Sequence, residues 1–317
     1  MEKILVTGGA GFIGSNIVEK LLYIGYKVRV LDNLSTGKQA NIDLFNDHPN
    51  YEFIKGDITN FEDCQKACKG ISAITHQAAL GSVPRSIEYP LATNDSNVTG
   101  FINMLHAANK EGIKRFVYAS SSSVYGDEPN LPKVEERIGK PLSPYAATKY
   151  TNEVFADVFA KTYGMEPIGF RYFNIFGPRQ DPDGQYAAVI PLFAKALINN
   201  KSPFINGDGE QSRDFTYVDN AVQANILGLT TKNPEATNQI YNIALGERFT
   251  INELFLSIRD LIGNDIEAIH RAPRAGDVRD SLANISKAKK LLGYEPTHKF
   301  TEGLPLTIQY FKTIFQT

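Results

Sequence analysis

The sequence has few cysteines, no excess of one charge and no long hydrophobic run, and each absence excludes a class of protein. Two cysteines among 317 residues are too few for the disulfide framework of a small secreted domain. Lys and Arg number 33 against 35 Asp and Glu, so no overall positive field would gather nucleic acid. No apolar run reaches the roughly 18 residues that a membrane-spanning helix needs. We therefore expect a soluble globular protein with no nucleic-acid or membrane partner.

The cysteines and the first residues of the chain indicate a reducing compartment. Cys64 and Cys68 lie one helical turn apart in EDCQKACKG. We interpret both as helix residues, because the stretch offers too few further ligands for a metal. The opening residues, MEKILVTGGAGFIG, lack the hydrophobic segment of a signal peptide. We expect a cytoplasmic protein without a bound metal.

Strands and helices are predicted to alternate through the first half of the chain. Short apolar segments such as ILV and FVY are typical of strands that are covered on both faces. This order predicts an α/β fold with a Rossmann-type, doubly wound parallel sheet. The predicted strands cover 3–7, 27–32, 51–57, 73–79 and 116–122, and the clearest helices cover 15–24, 96–111 and 145–163.

The alternation weakens in the second half, where loops with Gly and Pro become frequent. We predict loops with one helix (186–199) in 174–217, a strand at 239–245 and a helix that begins at Thr250. There the sequence TINE has the form of a capping box. The predicted domains are 1–173, to which a segment near 218–245 returns, and a smaller α/β lobe formed by 174–217 and 246–317.

Three glycines separate the first predicted strand from the first predicted helix. Gly8, Gly11 and Gly14 form G-x-x-G-x-x-G within TGGAGFIGS. Glycines at such a turn let the backbone approach a pyrophosphate, and the N–H groups of the helix N-terminus then face the anion. The strand–turn–helix context favours a dinucleotide-binding turn, and a plain glycine turn is the alternative.

Acidic residues follow two of the predicted strands. Asp32 ends the second strand, where a carboxylate can bind the adenosine ribose and would repel a 2′-phosphate. This favours NAD over NADP, although Lys38 leaves NADP open. Asp57 and Ile58 end the third strand, where an acid could bind the adenine amino group or could be an exposed strand-end residue.

A Y-x-x-x-K motif follows the fifth predicted strand. Tyr145 and Lys149 in SPYAATKYTNE have i, i+4 spacing, which places both side chains on one helix face. The ordinary pKa of tyrosine is near 10, and a nearby ammonium group lowers it by favouring the phenolate. The run Ser120–Ser123 supplies hydroxyls that could share the proton of a reacting oxygen. In a chain with a dinucleotide turn, this combination predicts a catalytic site.

Taken together, TGGAGFIG, the serine run before VYG, and SPYAATK resemble the extended short-chain dehydrogenase/reductase superfamily. Four further segments are similar to the UDP-sugar 4-epimerases. They are HQAALGSVPRSIEYPLATNDSNVTG, RYFNIFGPRQDPDG, GDGEQSRDFTYVDN and RAGDVRDS. The nearest branch is that of the bacterial UDP-N-acetylglucosamine 4-epimerases, and the resemblance covers nearly the whole chain. It implies that the first domain holds NAD and that the smaller lobe holds a UDP-sugar.

The resemblance also implies a homodimer, in which the helices at 96–111 and 145–163 pair with those of a second subunit as a four-helix bundle. Both stretches carry apolar residues on more than one face, as such a bundle requires. Burial of both faces within one chain is the competing explanation.

The family's mechanism assigns a role to each residue of the catalytic motif. Tyr145 would remove the proton of the sugar 4-OH while hydride passes from C4 to NAD. The 4-keto sugar would then turn over in the site, and hydride and proton would return. Lys149 would tune Tyr145 and bind the nicotinamide ribose. Ser121 matches the family's catalytic Ser or Thr, and Ser122 and Ser123 are its neighbouring alternatives.

Further contacts are implied only by similarity to the family motifs. Arg213 and Arg274 match the arginines that bind the diphosphate, although either could be a solvated surface residue. The other implied NAD contacts are Phe12, Ile13, Asn33, Ser35, Thr36, Gly37, Gln77, Ala78, Ala79, Asn97 and Phe173. The other implied UDP-sugar contacts are Ser82, Arg85, Asn174, Ala188, Val189, Phe204, Asn206 and Asp277.

We predict the substrate from one small residue, and we compare the residues present with those that other activities would require. Ser281 has the position of a pocket-size residue in the family, and a serine leaves room for an acetamido group at the sugar C2; a loop serine is the alternative. UDP-glucose/UDP-galactose and UDP-uronate epimerases and a net dehydrogenase stay open. A 4,6-dehydratase would need acidic residues where Ser122 and Ser123 lie. A non-catalytic NAD-sensing protein would not need Tyr145, Lys149 and a serine together.

Overall fold

A seven-stranded parallel sheet organises the chain in the computed structural model, which describes residues 2–184, 187–273 and 279–315. Every neighbouring pair in this sheet is parallel, so its connections are crossovers that carry helices. The predicted Rossmann-type, doubly wound fold is confirmed. In their order across the sheet, with numbers that follow the chain, the strands are β11 (Gln239–Ile243), β6 (Glu166–Tyr172), β5 (Arg115–Ser121), β4 (Ala73–His76), β1 (Lys3–Thr7), β2 (Lys27–Asp32) and β3 (Tyr51–Lys55).

Helices cover both faces of the sheet. They are α1 (Phe12–Tyr23), α2 (Gln39–Asp43), α3 (Phe61–Cys68), α4 (Val83–Glu88), α5 (Pro90–Asn94), α6 (Gly100–Lys110), α7 (Pro144–Tyr163), α8 (Val189–Ile198), α9 (Val218–Thr230), α10 (Ile251–Ile262), α11 (Ser286–Leu292) and α12 (Phe300–Phe315). Alternate strand side chains point to opposite faces. Val6 and Val30 therefore pack with α1 and α9, whereas Leu5 and Leu31 join the core beneath α3 and α6.

The sheet has a topological switch point at β1. The chain passes from β1 to β2 and β3 on one side, and β4, β5 and β6 lie on the other. Ligands of doubly wound folds bind at the carboxyl edge of the strands, where the strand order reverses. This edge is where α1 begins, directly after the glycine turn.

Short strand pairs and a group of helices lie beside the sheet in the second half of the chain. The helices α8, α10 and α12 pack against one another and share a core with the α1 face of the sheet. The pairs are β7 (Ile175–Phe176) with β10 (Thr216–Tyr217), β8 (Phe204–Asn206) with β13 (Ile269–Arg271), and β9 (Ser212–Arg213) with β12 (Phe249–Thr250).

One central strand was not predicted. β6, with the sequence EPIGFRY, is buried along almost its whole length, but Pro167, Gly169 and Arg171 interrupt its apolar pattern. Gly169 lies against the ring of Tyr118, where a Cβ atom would come within 2.5 Å of the hydroxyl oxygen. Close contact with a neighbouring strand therefore selects a residue that the local pattern disfavours.

Several predicted boundaries shift. The predicted third and fourth strands end at Lys55 and His76, so Asp57 and Gln77 lie in loops. The helix predicted over 96–111 begins with a π-type turn, Asp95–Thr99, before α6. The capping box before α10 is confirmed, because Thr250 and Glu253 bond to each other's backbone N–H groups.

The described residues provide neither a membrane helix nor a metal cluster. Across 2–184, 187–273 and 279–315, no helix is long and apolar enough to cross a membrane. Within the same ranges, no three His, Cys, Asp or Glu side chains come together as metal ligands. Cys64 and Cys68 are buried in α3 as helix residues, as predicted.

Candidate active site

The glycine turn brings the start of α1 against the end of β1. Gly8 has a φ of +69°, and the N–H of Gly11 donates to its carbonyl oxygen at 3.0 Å. A Cβ atom on Gly8 would lie 2.6 Å from the backbone nitrogen of Ala78, and one on Gly14 would lie 2.1 Å from the carbonyl oxygen of Gly8. Both positions exclude a side chain. The open N-terminus of α1 behind them fits the pyrophosphate of the expected NAD.

Asp32 lies at the end of β2, where the expected ribose would lie. Its carboxylate accepts the N–H groups of Ala10 at 3.0 Å and Leu34 at 2.8 Å. Burial raises its pKa, and these two bonds oppose that shift. Lys38 pairs with Asp181 across the cleft at 2.7 Å. Since that ammonium already has a carboxylate partner, it is poorly placed to compensate a 2′-phosphate, which supports NAD over NADP.

Asp57 is held in a defined orientation at the same edge. Its carboxylate accepts the amide of Asn33 at 2.7 Å and the N–H and hydroxyl of Thr59 at 2.8 Å. Burial alone would raise its pKa, but the bonds from Thr59 and Asn33 outweigh burial and lower it. Asp57 is therefore a carboxylate at neutral pH, as the expected contact to an adenine amino group requires.

Three adjoining cavities form a cleft along the carboxyl edge of the sheet. The cavity beside Asp32 and Asp57 has a volume of about 360 Å³. A larger one of about 560 Å³ lies beside Tyr145 and Lys149, and a third of about 260 Å³ lies beside Arg213. The cavity beside Asp32 and the largest cavity share Gly8, Gly11, Thr36, Gln77 and Ala79. The largest cavity and the cavity beside Arg213 share Asn174, Ile175, Gln180 and Ala188.

The catalytic candidates meet in the largest cavity. Ser121 ends β5, and Tyr145 and Lys149 lie in the first two turns of α7, which is capped by Ser143. The hydroxyl of Ser121 lies beside Tyr145 and lowers the pKa of its phenol. The Nζ of Lys149 donates to the carbonyl oxygen of Ala119 at 2.7 Å and lies 6.0 Å from the centre of the Tyr145 ring. The i, i+4 spacing thus brings a phenol, a cation and a hydroxyl together.

Burial dominates the electrostatics of this group. It raises the pKa of Tyr145, and the hydrogen bond with Ser121 partly offsets that shift. It lowers the pKa of Lys149 to about 8, and the charge of Glu153 opposes this shift. It also lowers the pKa of His76 to about 3, together with the charge of Lys149. At pH 7, Lys149 is therefore mostly a cation and His76 is neutral.

Some predicted contacts lie beside the cleft rather than on its described walls. Ser122 and Ser123 follow β5 in a single 3₁₀ turn, and the Ser123 hydroxyl bonds to Ser121 at 2.9 Å. Asn97 is buried, and its amide bonds to both backbone groups of Leu80. Phe173 is also buried and packs against the ring of Tyr125. None of these four predicted residues lines the three cavities as described.

The remaining predicted NAD contacts lie in the first two cavities. The residues on the larger cavity's wall are Phe12, Ile13 and Gly14. Those in the cavity beside Asp32 are Asn33, Ser35, Thr36, Gly37, Asp57, Ile58, Gln77, Ala78 and Ala79.

The predicted substrate contacts divide between the larger and the smallest cavity. Arg213 donates to the carbonyl oxygens of Ser212 and Arg279. Ser281 also bonds to Ser212, through its N–H at 3.1 Å, which places it near Arg213 but not on a described cavity wall. Ser82, Arg85, Asn174 and Ala188 line the larger cavity; Asn174, Ala188, Val189, Phe204, Asn206 and Arg213 line the smallest. Arg274 and Asp277 lie outside the described residues.

Tyr172 lines the largest cavity and was missed from the sequence. Its hydroxyl donates to the side-chain Oε1 of Gln77 at 3.2 Å and accepts from the side-chain Nδ2 of Asn225 at 2.7 Å. The hydroxyl of Thr75 completes this buried network at 2.8 Å from Asn225. The position of Tyr172 two residues before Asn174 in RYFN was the available signal, but Asn225 is far away in the sequence.

Comparison with known proteins shows which family the chain matches. Residues 4–244 match the NAD dependent epimerase/dehydratase family. A UDP-N-acetylglucosamine 4-epimerase from Methanobrevibacter ruminantium, solved with UDP-N-acetylmuramic acid, is 42% identical with a TM-score of 0.93, and 99% of each chain is covered. A UDP-glucose 4-epimerase from Thermotoga maritima, solved with UDP-glucose, is 38% identical with a TM-score of 0.93, over 98% of this chain and 99% of that one. A UDP-glucuronate 4-epimerase of Thermodesulfobacterium geofontis is 36% identical over 97% of this chain and 95% of its own.

Proposed function

The chain belongs to the NAD-dependent epimerase/dehydratase family, as a UDP-sugar 4-epimerase, and on that premise we propose that it interconverts UDP-N-acetylglucosamine and UDP-N-acetylgalactosamine. The observation that carries the proposal is the position of Tyr145, Lys149 and Ser121. They lie in the cavity that adjoins both the glycine turn and the pocket beside Arg213. A sugar linked to a nucleotide in that pocket would reach the phenol of Tyr145.

When bound, NAD would supply a hydride acceptor for the sugar C4 and, once reduced, a hydride donor for the 4-keto sugar. The side chains of this protein handle the proton. Tyr145 accepts it from the 4-OH as the carbonyl forms and gives it back to the same oxygen when the carbonyl is reduced. Ser121 bonds to the Tyr145 oxygen and to the sugar oxygen, and so orients the transfer. The sugar must turn between the two half-reactions, and the diphosphate bonds hold the nucleotide meanwhile.

Lys149 makes Tyr145 a usable base. A buried phenol has a raised pKa, as Tyr145 does, so it needs a stabilising charge to donate or accept a proton near pH 7. The ammonium of Lys149 provides that charge, and it also binds the nicotinamide ribose. Because its pKa is about 8, the cation is present below that pH, and we expect the activity to fall as the pH rises through it.

The predicted contacts divide between two ligands. In our proposal, 1–173 with the returning segment near 218–245 holds NAD, and 174–217 with 246–317 holds the UDP-sugar. Asp32 binds the adenosine ribose, and Arg213 binds the diphosphate because a guanidinium matches phosphate oxygens well. Phe204 and Asn206 form part of the uridine pocket.

The direct test uses purified protein and no added cofactor. We expect bound NAD to be released on denaturation and UDP-N-acetylglucosamine to be converted to an equilibrium mixture with UDP-N-acetylgalactosamine. Parallel assays with UDP-glucose and UDP-glucuronate compare the other epimerase activities. Faster turnover of either would correct the substrate, and no turnover with any UDP-hexose would support a non-catalytic NAD-binding protein.

Substrate preference can be tested at Ser281. We expect Ser281→Tyr to lower turnover of UDP-N-acetylglucosamine by about 10- to 100-fold, because the added ring would crowd the acetamido group. UDP-galactose, which has only a hydroxyl at C2, should be turned over at nearly the wild-type rate. Initial rates with both substrates measure the effect, and Ser281→Ala, which adds no volume, should leave both rates unchanged. Equal rates with Ser281→Tyr on both substrates would contradict the pocket assignment.

A homodimer is the proposed assembly, and α7 presents an apolar stripe for it. Tyr150, Val154 and Val158 follow each other at helical spacing and are 38%, 47% and 45% exposed. We expect the double substitution Val154→Glu and Val158→Glu to convert a dimer to a monomer in sedimentation experiments, since paired charges would be buried. Leu192→Glu on α8, at a side chain that is 46% exposed, is the matched control and should not change the mass. A wild-type monomer would contradict the proposal.

A further inference from the structure

We propose that Glu153 is a positioning residue for the epimerase reaction, which supplies the negative charge that holds Lys149 in place as a cation. The inference rests on the proposed roles of Tyr145 and Lys149. Glu153 lies one helical turn beyond Lys149, just as Lys149 lies one turn beyond Tyr145. The three side chains therefore share one face of α7.

This face of α7 meets the last three residues of β5 one by one. Ser121 lies beside Tyr145 on the wall of the largest cavity, and the carbonyl oxygen of Ala119 accepts a hydrogen bond from Lys149 at 2.7 Å. The hydroxyl of Ser120 donates to the Oε1 of Glu153 at 2.6 Å. Ser120 thus lies between Ala119 and Ser121, and its bond holds the Glu153 carboxylate at the end of β5.

Two further hydrogen bonds, from Arg171, hold the Glu153 carboxylate in its orientation. The Nε and Nη2 of Arg171 on β6 donate to the two carboxylate oxygens of Glu153 at 2.9 and 2.8 Å. Both side chains are almost fully buried. Arg171 itself donates to the carbonyl oxygen of Glu135 at 3.0 Å and lies 4.8 Å from the centre of the Tyr125 ring. Glu153 is therefore fixed by both neighbouring strands.

The charge of Glu153 matters because it lies among buried cations. Lys149 on α7 and Arg171 on β6 are two buried cations, and Glu153 on α7 is the buried carboxylate that pairs with Arg171. The charge of Glu153 raises the pKa of Lys149 against the effect of burial. Lys149 also lies near Tyr145 on α7 and His76 on β4, and His76 is neutral because its pKa is about 3.

Loss of the Glu153 carboxylate would therefore change the protonation of Lys149 rather than that of Arg171. An arginine does not give up its proton in proteins, whereas a buried lysine does so readily. If Glu153 became neutral, Lys149 would lose its proton at a lower pH. Neutral Lys149 would no longer stabilise the phenolate of Tyr145, so turnover would fail at a lower pH than in the wild type.

The experiment is the pH profile of kcat/KM for epimerisation by the holoenzyme. We expect Glu153→Gln to shift the alkaline limb to lower pH by roughly one unit or more. Asp157→Asn, which removes a carboxylate one further helical turn along α7 that pairs with Lys161, is the matched control and should leave the limb in place. An alkaline limb of Glu153→Gln at the wild-type pH would overturn the proposal.

A second variant separates charge from structural support. Glu153→Gln leaves Arg171 buried without its partner, which destabilises a fold. Arg171→Gln breaks the same ion pair but keeps the carboxylate, so the two variants share the structural loss and differ in the charge beside Lys149. We expect Arg171→Gln to lower the Tm and to leave the alkaline limb at or above its wild-type pH, because Lys149 keeps its anion. A limb of Arg171→Gln that moves down as far as that of Glu153→Gln would show purely structural support and overturn the proposal.

The wild-type assay distinguishes this inference from the proposed function. Absence of wild-type turnover with every UDP-hexose would contradict the function. Normal wild-type turnover with an unmoved limb in Glu153→Gln would contradict only the role of Glu153.

Discussion

Tyr145→Phe is expected to lower kcat by about 10²- to 10⁴-fold, the range associated with loss of a general acid–base group. The substitution removes one oxygen atom from a partly buried ring on the cavity wall and leaves the packing of the ring intact. Without that oxygen, the proton of the sugar 4-OH has no acceptor beside Ser121 and Lys149. Binding of NAD and of the UDP-sugar should change little, so KM should stay within a few-fold of the wild type.

The measurement is the initial rate with UDP-N-acetylglucosamine, together with the NAD content of the purified variant. Tyr150→Phe on the same helix is the matched control, because Tyr150 is partly exposed and is not among the residues that line the described cavities. Its rate should equal that of the wild type. A Tyr145→Phe variant that kept a third of the wild-type rate would remove Tyr145 from the mechanism.

Gly14→Ala is expected to weaken NAD binding by about 100-fold or more and to lower the Tm. The new Cβ atom would lie 2.1 Å from the carbonyl oxygen of Gly8 and 2.9 Å from the Cα of Gly9. These are backbone atoms, so the start of α1 would have to move away from β1. Overpacking of this kind costs about 1–3 kcal/mol or more, and each 1.4 kcal/mol is about tenfold in affinity.

The NAD content of the purified variant and titration of the stripped protein with NAD measure this effect. Gly11→Ala is the graded comparison, since its Cβ atom would meet only the Gly8 carbonyl oxygen, at 3.1 Å. Its affinity should fall between those of the wild type and Gly14→Ala. Wild-type affinity in Gly14→Ala would show that the close approach of helix and strand does not position the cofactor.

The sequence was most informative where a function depends on residues that are close together in the chain. The predicted bounds of β1 and β2 match those observed, because apolar runs between turns identify buried strands. Tyr145 and Lys149 share a helix, so their spacing alone places them on one face. The Gly8–Gly14 turn likewise lies within one strand–turn–helix unit.

Residues whose role depends on distant parts of the chain were missed or left open. β6 was not predicted because contact with Tyr118 selects a glycine inside it. Lys38 left NADP open until its pairing with Asp181, 143 residues away, was visible. Asn97 was predicted as a cofactor contact from the family motif and stays a prediction; the structure adds that its amide bonds to the backbone of Leu80.

By itself, the sequence determined the fold class, the dinucleotide turn and the resemblance to UDP-sugar 4-epimerases, because these depend on local periodicity and short motifs. Only the tertiary structure decided what surrounds Lys149. Glu153 is one turn away on α7, but its charge matters because Ser120 and Arg171, from two other strands, hold it buried. Burial and long-range pairing set how strongly charges act on each other, and neither can be read from spacing along the chain.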